Sequence, residues 1–293
     1  MAIDVGGTKI AAGLVDRRGG VESLTTVATG SFGADSLRRA AAVADSVAAD
    51  ADAVGAEIVG VGIGVPELVE DGRITSEAVV GWTDQGVREA FSDFRPIRVE
   101  ADIRAAALAE ARSRTGAGAK VSLYVNLGTG ISHCLLIEGR PFEGQHGRAL
   151  LSGSTVLTAL DTRRNELVGS CVEDVASGRG ISERYADLTG EVLSAPQVFD
   201  LARRGDAQAR LVVDQATELL GHLVATLIDI LDPAEVIVGG GLCNVRGLVD
   251  RVAGVARRSV WSHRAKATPI APATLGPQAG VIGAGLTLLD HIG

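Results

Sequence analysis

The chain has 293 residues, of which 46% are hydrophobic and 22% charged. That is material for one large or two modest domains with a real core, and it excludes a disordered chain. Aromatics are only 3%, so the core must be built from Ala, Val, Leu and Ile, and the 38 glycines call for placement. The 28 Lys and Arg against 36 Asp and Glu leave a net charge of −8, and no basic block stands out, so no nucleic-acid surface is expected.

Ala2–Val5 reads as a short strand running into a Gly-Gly-Thr turn, with Ile10–Val15 and Val21–Ala28 as the next strands. The opening MAIDVGGTKI has neither the basic leader nor the long apolar stretch of a signal peptide. Ser36–Ala53 reads as an Ala-rich helix. Ile58–Val65 is a continuous apolar and glycine run, which suits a strand covered on both faces. Ile97–Val99 is a strand, followed by a helix over about Ile103–Arg114 and a linker at Gly116–Ala119. Val121–Leu127 and Ile131–Ile137 are strands around a second Gly-Thr turn, so strand, Gly-Thr turn, strand and polar turn occur twice. Helices are expected at Val172–Ala176, Ile181–Leu188, Ala195–Arg204 and Ala207–Leu231. Within the last of these, His222 and Asp229 interrupt the most apolar segment, so no membrane span is expected. A strand Glu235–Val238, a helix Val245–Val260 and a Gly/Ala-rich closing helix Gly276–Ile292 complete the chain. Cys134, Cys171 and Cys243 stand far apart, form no CxxC pair and cannot all pair with one another, as in a reducing cytoplasm.

Asp4-Val-Gly-Gly-Thr-Lys9 joins a strand to a turn. Its glycines, Gly6 and Gly7, let backbone N–H groups approach an anion, and Thr8 adds a hydroxyl; the plainer alternative is a hairpin turn. Asp4 at the strand end could hold a hydrated Mg²⁺. Gly128-Thr129-Gly130 repeats the logic, and the pair is more specific than either member. Gly239-Gly240-Gly241 follows a strand and precedes a helix, where α/β folds place ligands. Asp102 lies at a strand end just before a helix, as a general base or as an N-cap, and position alone favours the N-cap. His146, in Gly144-Gln-His-Gly147, is the one histidine near a candidate site.

Together and in this order, these motifs resemble the ROK family (repressors, open reading frames and sugar kinases) of the actin-like ATPase and hexokinase superfamily. The resemblance rests on Asp4–Ile10, Gly60-Val-Gly-Ile-Gly-Val-Pro66, Gly81-Trp82, Glu100 and Asp102 with Ala105–Glu110, and Leu127–Gly130. Cys171-Val-Glu173 with Ser177-Gly178, Gly239–Gly241, and Leu275–Gly280 with Gly283-Ala-Gly285 complete it. It implies an α/β, two-lobed actin-like ATPase (ribonuclease H-like) fold with nucleotide and substrate in the interlobe cleft. The lobes would span 1–115 and 116–293, with the helix 276–292 packing back on the first. It further implies ATP and Mg²⁺ as cofactors and a homodimer, while the cysteines, apolar segments and charge already lead to the expectation of a cytoplasmic location with no membrane or nucleic-acid partner. Asp4, Gly6, Gly7, Thr8, Lys9, Gly128, Thr129, Gly130 and Gly239–Gly241 would then bind nucleotide, and Asp102 would be the general base.

The departures concern the sugar half. Ala101 and Arg104 stand where the family has Asn, Glu67 where it has Gly, and Leu151-Ser-Gly-Ser154 where it has Glu-x-Gly-His. Of its zinc cluster only Cys171 remains, so a structural zinc site is not expected. These features resemble a branch acting on amino sugars of kanosamine type or on C7-cyclitols of valiolone type in antibiotic biosynthesis. Glu67 could pair with a substrate ammonium or point to solvent. Glu173 stands where the family contacts the sugar ring. Arg104 reads either as a helix surface residue or as a charge holding Asp102 ionised. Glu67, Glu173, Arg104 and His146 are thus the candidate substrate residues. The leading expectation is an ATP-dependent kinase of a primary hydroxyl, on kanosamine at its 6-position, an amino sugar that an ammonium pairing with Glu67 would favour, with a C7-cyclitol phosphorylated at its 7-position as the alternative. The rivals are a repressor, for which no DNA-binding segment precedes residue 4, and a catalytically inactive ligand sensor.

Overall fold

The structure is a computed structural model that describes residues 1–114 and 119–293. The linker expected at 116–119 falls, but for Ala119, outside the described residues. The chain divides into two compact units. The first comprises Met1–Gly118, Gly139–Ala149 and Leu275–Gly293, and the second comprises Ala119–Glu138 and Leu150–Thr274. The sequence division at 115/116 had left 139–149 with the second lobe; these residues cluster with the first unit.

The first unit opens with β1 (Ala2–Val5), β2 (Lys9–Val15) and β3 (Val21–Ala28), an antiparallel meander. Helix α1 (Ala34–Val54) buries Ala40, Val43, Ala44, Val47 and Ala51, one face at helical spacing, and ends at Gly55 in the left-handed conformation. Strand β4 (Val61–Val65) is buried throughout, as its unbroken apolar run requires. After it come the two-residue strands β5 (Val69–Glu70) and β6 (Arg73–Ile74), helix α2 (Asp84–Ala90), β7 (Ile97–Ala101) and α3 (Asp102–Ser113). The sheet order is β3-β2-β1-β4-β7, with β1, β4 and β7 parallel, so three strands end side by side at their C-termini.

The second unit repeats the motif. Strands β8 (Val121–Leu127) and β9 (Ile131–Ile137) form an antiparallel pair. The hairpin β10 (Val156–Asp161) and β11 (Glu166–Cys171) pairs only with itself among the described residues. Helices α4 (Val172–Ala176), α5 (Gly178–Thr189), α6 (Ala195–Arg204) and α7 (Ala207–Leu231) follow. Strand β12 (Val236–Gly239), helix α8 (Leu248–Ser259) and β13 (Ile270–Pro272) close the unit, with β12 parallel to both β8 and β13. The core lies between this sheet and the helices, from Leu123, Val125 and Val238 through Ile181, Val212 and Leu220 to Val252. By length and composition α7 is long and apolar enough to cross a membrane, contrary to the reading from His222 and Asp229. Yet 56% of its apolar window is buried, because one face builds this core.

The chain ends in α9 (Ala279–Ile292), which belongs to the first unit and packs on α3 and β4. Its small residues are a steric requirement. A Cβ on Gly283 would lie 1.8 Å from the Ala105 carbonyl oxygen, and one on Gly62 would lie 1.9 Å from that of Ala284.

Candidate active site

In the first unit, the strand ends converge on two carboxylates. Asp4 on β1 is in register with Gly64 on β4, and Gly64 with Glu100 on β7, two residues before Asp102. A Cβ on Gly64 would stand 3.5 Å from Asp4 Oδ1 and 3.7 Å from the Asp102 Cα, so the glycine leaves open the space between them. A Cβ on Gly280 would lie 2.3 Å from the Asp4 carboxyl, which shows how closely the first turn of α9 approaches. Neither glycine had been singled out as a site residue; each lies within a quoted motif, but only the fold brings it to the acids.

Asp102 is not the N-cap of α3. The helix begins on it, the cap is Ala101, and Asp102 Oδ1 accepts a 2.6 Å bond from the next N–H, that of Ile103. Burial raises its pKa to about 7. The Asp4 charge adds to the rise, and the Ile103 N–H and Arg104 oppose it. Burial likewise raises Asp4 to about 6 against the attraction of Lys9. Asp4 accepts no hydrogen bond among the described residues, so its oxygens are open to a ligand. Open, hard carboxylate oxygen suits a hydrated Mg²⁺.

The turn after Asp4 is closed by the Gly6 N–H donating to the Lys9 carbonyl at 2.9 Å and by the Thr29 hydroxyl donating to the Gly6 carbonyl at 2.7 Å. It leaves Gly7, Thr8 and Lys9 exposed, and nothing lies within 4 Å of where a Gly7 Cβ would be. The N–H groups of Gly7 and Thr8 and the Thr8 hydroxyl donate to nothing among the described residues and suit an anion.

In the second unit, the Leu127–Gly130 turn is clasped by the start of α5. Gly178 donates to the Gly128 carbonyl at 2.8 Å and Arg179 to the Thr129 carbonyl at 3.3 Å. Gly239 pairs with Asn126, so the three-glycine turn runs beside this one. Gly240 takes φ +85°, and a Cβ there would meet the Leu127 carbonyl oxygen at 2.4 Å. Gly241 faces open space. Two glycine turns thus lie side by side at the ends of neighbouring parallel strands, an arrangement that suits an anion.

The substrate candidates fare unevenly. Glu67 is only 4% exposed. Its carboxylate accepts from the Ser76 hydroxyl and from the N–H groups of Ala78, Val79, Val80 and Gly81 at 2.5–3.2 Å. Burial alone would raise its pKa; these donors outweigh burial and hold it below the usual carboxylate value. Both readings of Glu67 are therefore corrected: it neither points to solvent nor has capacity left for a substrate ammonium. For Arg104 only the surface reading is corrected, since its charge does oppose the rise at Asp102. It is 1% exposed, not a surface residue, and it faces Glu100 and two backbone carbonyls rather than a ligand. His146 is exposed, its Nδ1 3.3 Å from Glu70, and it forms no hydrogen bond with Asp4 or Asp102. Glu173 is half-buried beside the Gly128–Gly130 turn, accepting from the Ile131 N–H at 2.9 Å, with Arg179 3.5 Å away. Cys171 donates its thiol to the Gly153 carbonyl at 3.2 Å. No group of three or more His, Cys, Asp or Glu among the described residues could hold a metal ion.

With the two glycine turns and the carboxylate pair in place, comparison with known proteins is decisive. The ROK family model matches residues 1–290. The chain belongs to the ROK family. The glucokinase of Halalkalibacterium halodurans is 30% identical over 256 residues, 78% of this chain and 76% of that one. An Escherichia coli N-acetyl-D-glucosamine kinase is 30% identical over 264 residues, 85% of this chain and 86% of that one. The ROK hexokinase of Thermus thermophilus superposes with a TM-score of 0.78 at 29% identity, covering 99% of this chain and 98% of that one. The ROK glucokinase of Streptomyces griseus, solved with glucose and AMPPNP, superposes with a TM-score of 0.75 at 28% identity, covering 97% and 96%. The mixed α/β, two-lobed fold is thus that of ROK kinases.

Proposed function

We infer that this ROK chain is an ATP-dependent phosphotransferase acting on a sugar hydroxyl, with Asp102 as the general base. The observation that carries the assignment is a carboxylate with a pKa of about 7 at the C-terminal end of a parallel strand, beside the open oxygens of Asp4. At neutral pH a large fraction of Asp102 is ionised and still basic enough to take a proton. It accepts the hydroxyl proton as that oxygen forms its bond to the γ-phosphorus, and the bond from phosphorus to the bridging oxygen breaks to release ADP. The N–H groups of Gly7 and Thr8 and of Thr129 and Gly130 bind phosphate oxygens, Gly239–Gly241 admits the nucleoside, and Glu173 is the ring contact. Asp4 would hold Mg²⁺ through water, which neutralises phosphate charge when bound.

The acceptor we propose is an uncharged polyhydroxy ring, a C7-cyclitol or a neutral hexose. Kanosamine was favoured by a charge argument on Glu67, and that carboxylate is already satisfied by five donors. A panel of kanosamine, valiolone-type cyclitol, glucose and N-acetylhexosamines with ATP and Mg²⁺ tests both levels. A neutral ring should have the highest kcat/KM. Preference for kanosamine would overturn the acceptor reading, and binding with no phosphate transfer to any acceptor would leave a ligand sensor in its place.

A further inference from the structure

Asp102 is flanked in sequence by two buried, oppositely charged residues. Glu100 is the penultimate residue of β7, and Arg104 lies in the first turn of α3. Arg104 Nε donates to Glu100 Oε1 at 2.7 Å, and its Nη2 lies 2.6 Å from the same oxygen, which also accepts the Ala101 N–H at 2.8 Å. The pair therefore clamps the strand–helix junction on both sides of Asp102. The guanidinium does more: Nη1 donates to the Gly147 carbonyl at 3.0 Å and Nη2 to the Val69 carbonyl at 2.7 Å. Those two carbonyls belong to strand β5 and to the loop around Gly147, which touch. A Cβ on Gly147 would lie 1.9 Å from the Val69 oxygen, and the next residues outward, Glu70 and His146, pair at 3.3 Å. A buried cation with four polar contacts on three chain segments is a costly arrangement to keep for packing alone, since apolar residues of equal volume serve packing as well or better.

We propose that Arg104 is a positioning residue, whose buried guanidinium holds the Asp102 turn, the Val69–Glu70 strand and the Gly144–Ala149 loop in one register so that the base meets its acceptor hydroxyl in line. The proposal rests on the reading of Asp102 as base. Arg104 also acts on that base by charge: with Asp4 facing Asp102 from β1, Arg104 is the cation that offsets the repulsion.

The test compares Arg104→Met, Arg104→Lys and Glu100→Gln with the whole protein. Hydrogen exchange is followed by mass spectrometry, and kinetics are measured well below each variant's Tm. Arg104→Met should speed exchange by tenfold or more at 69–74, 101–105 and 144–149 while β8, β12 and α7 keep wild-type protection. Its kcat should fall at least tenfold with the KM for ATP within twofold, and the acid limb of its pH profile should move to higher pH. Arg104→Lys, which keeps the charge but not the fork, should restore the acid limb and not kcat. Exchange changes spread evenly over the chain, or wild-type kcat and pH profile in the Met variant, would overturn the proposal. Should the Met variant not fold, Glu100→Gln carries the same exchange test with the same two outcomes. If no acceptor is turned over by wild type, the assignment of function fails, and the exchange pattern still decides the brace.

Discussion

At the scale of single residues, the acids at the strand ends set the pH behaviour. Burial raises Asp4 to about 6, and burial together with the Asp4 charge raises Asp102 to about 7. If Asp102 is the base, as proposed, it must be ionised, so kcat/KM should rise steeply with pH up to about 7 and level above about 8. Asp102→Asn should lower kcat by about 10²–10⁴-fold, the usual worth of a general base. A stability effect of definite sign accompanies this. A carboxylate whose folded pKa lies above its unfolded one contributes stability below the unfolded value, and that contribution is lost as pH rises through the folded value. Asp102→Asn should therefore raise Tm at pH 8, by about 2–4 °C, with the gain shrinking toward pH 5; scanning calorimetry at the two pH values reads it. Glu67 marks the limit of legibility at this scale. A carboxylate in place of glycine was visible in the chain, but what it meets was not. Its donors come from residues 76–81, and only the folded loop turns their N–H groups inward. Arg104 carried no such signal, since Glu100 lies on a strand and Arg104 on the helix after it, and only the fold of the junction brings the two charges together.

At the scale of elements, the long periodic helices and apolar strands were the legible part. Ala195–Arg204 and Ala207–Leu231 form with the bounds expected from apolar spacing and the polar turns between them. The hairpin of β10 and β11 was not expected. Its strands expose Val156, Leu160, Leu167 and Val168 and bury no regular face, so no alternation marks them. The closing helix was legible as Gly/Ala-rich, and the structure turns that composition into a contrast of sign. Gly283→Ala puts a methyl 1.8 Å from the Ala105 backbone oxygen, which cannot move without shifting α3, and should destabilise by about 1–3 kcal/mol. Gly254→Ala in α8 places its methyl no closer than 3.8 Å to any neighbour, at the end of a flexible arginine, and should stabilise by about 0.4–1 kcal/mol. Urea denaturation of the two variants beside wild type measures both; equal effects would mean that close packing of α9 is not what its glycines serve.

At the scale of the whole molecule, each unit carries its own part of the proposed site, and the parts can be separated by experiment. The first unit holds the acids, and the second holds the two adjoining glycine turns. A nucleotide that binds only the folded protein at a hundred times its Kd adds about 2.7 kcal/mol of stability, enough to move Tm by several degrees. AMPPNP should produce that shift in wild type and in Asp102→Asn alike, because the base is needed for transfer and not for holding the nucleotide. Gly241→Val separates the functions from the other side. No atom lies within 4 Å of a Cβ at Gly241, so the variant should fold with an unchanged Tm. The added isopropyl group stands over the turn where the nucleoside is assigned, so the AMPPNP shift should fall below about 1 °C. A full shift in Gly241→Val would move the nucleoside away from Gly239–Gly241. Loss of the shift in Asp102→Asn would mean that the carboxylate at the end of β7 serves nucleotide binding as well as proton transfer.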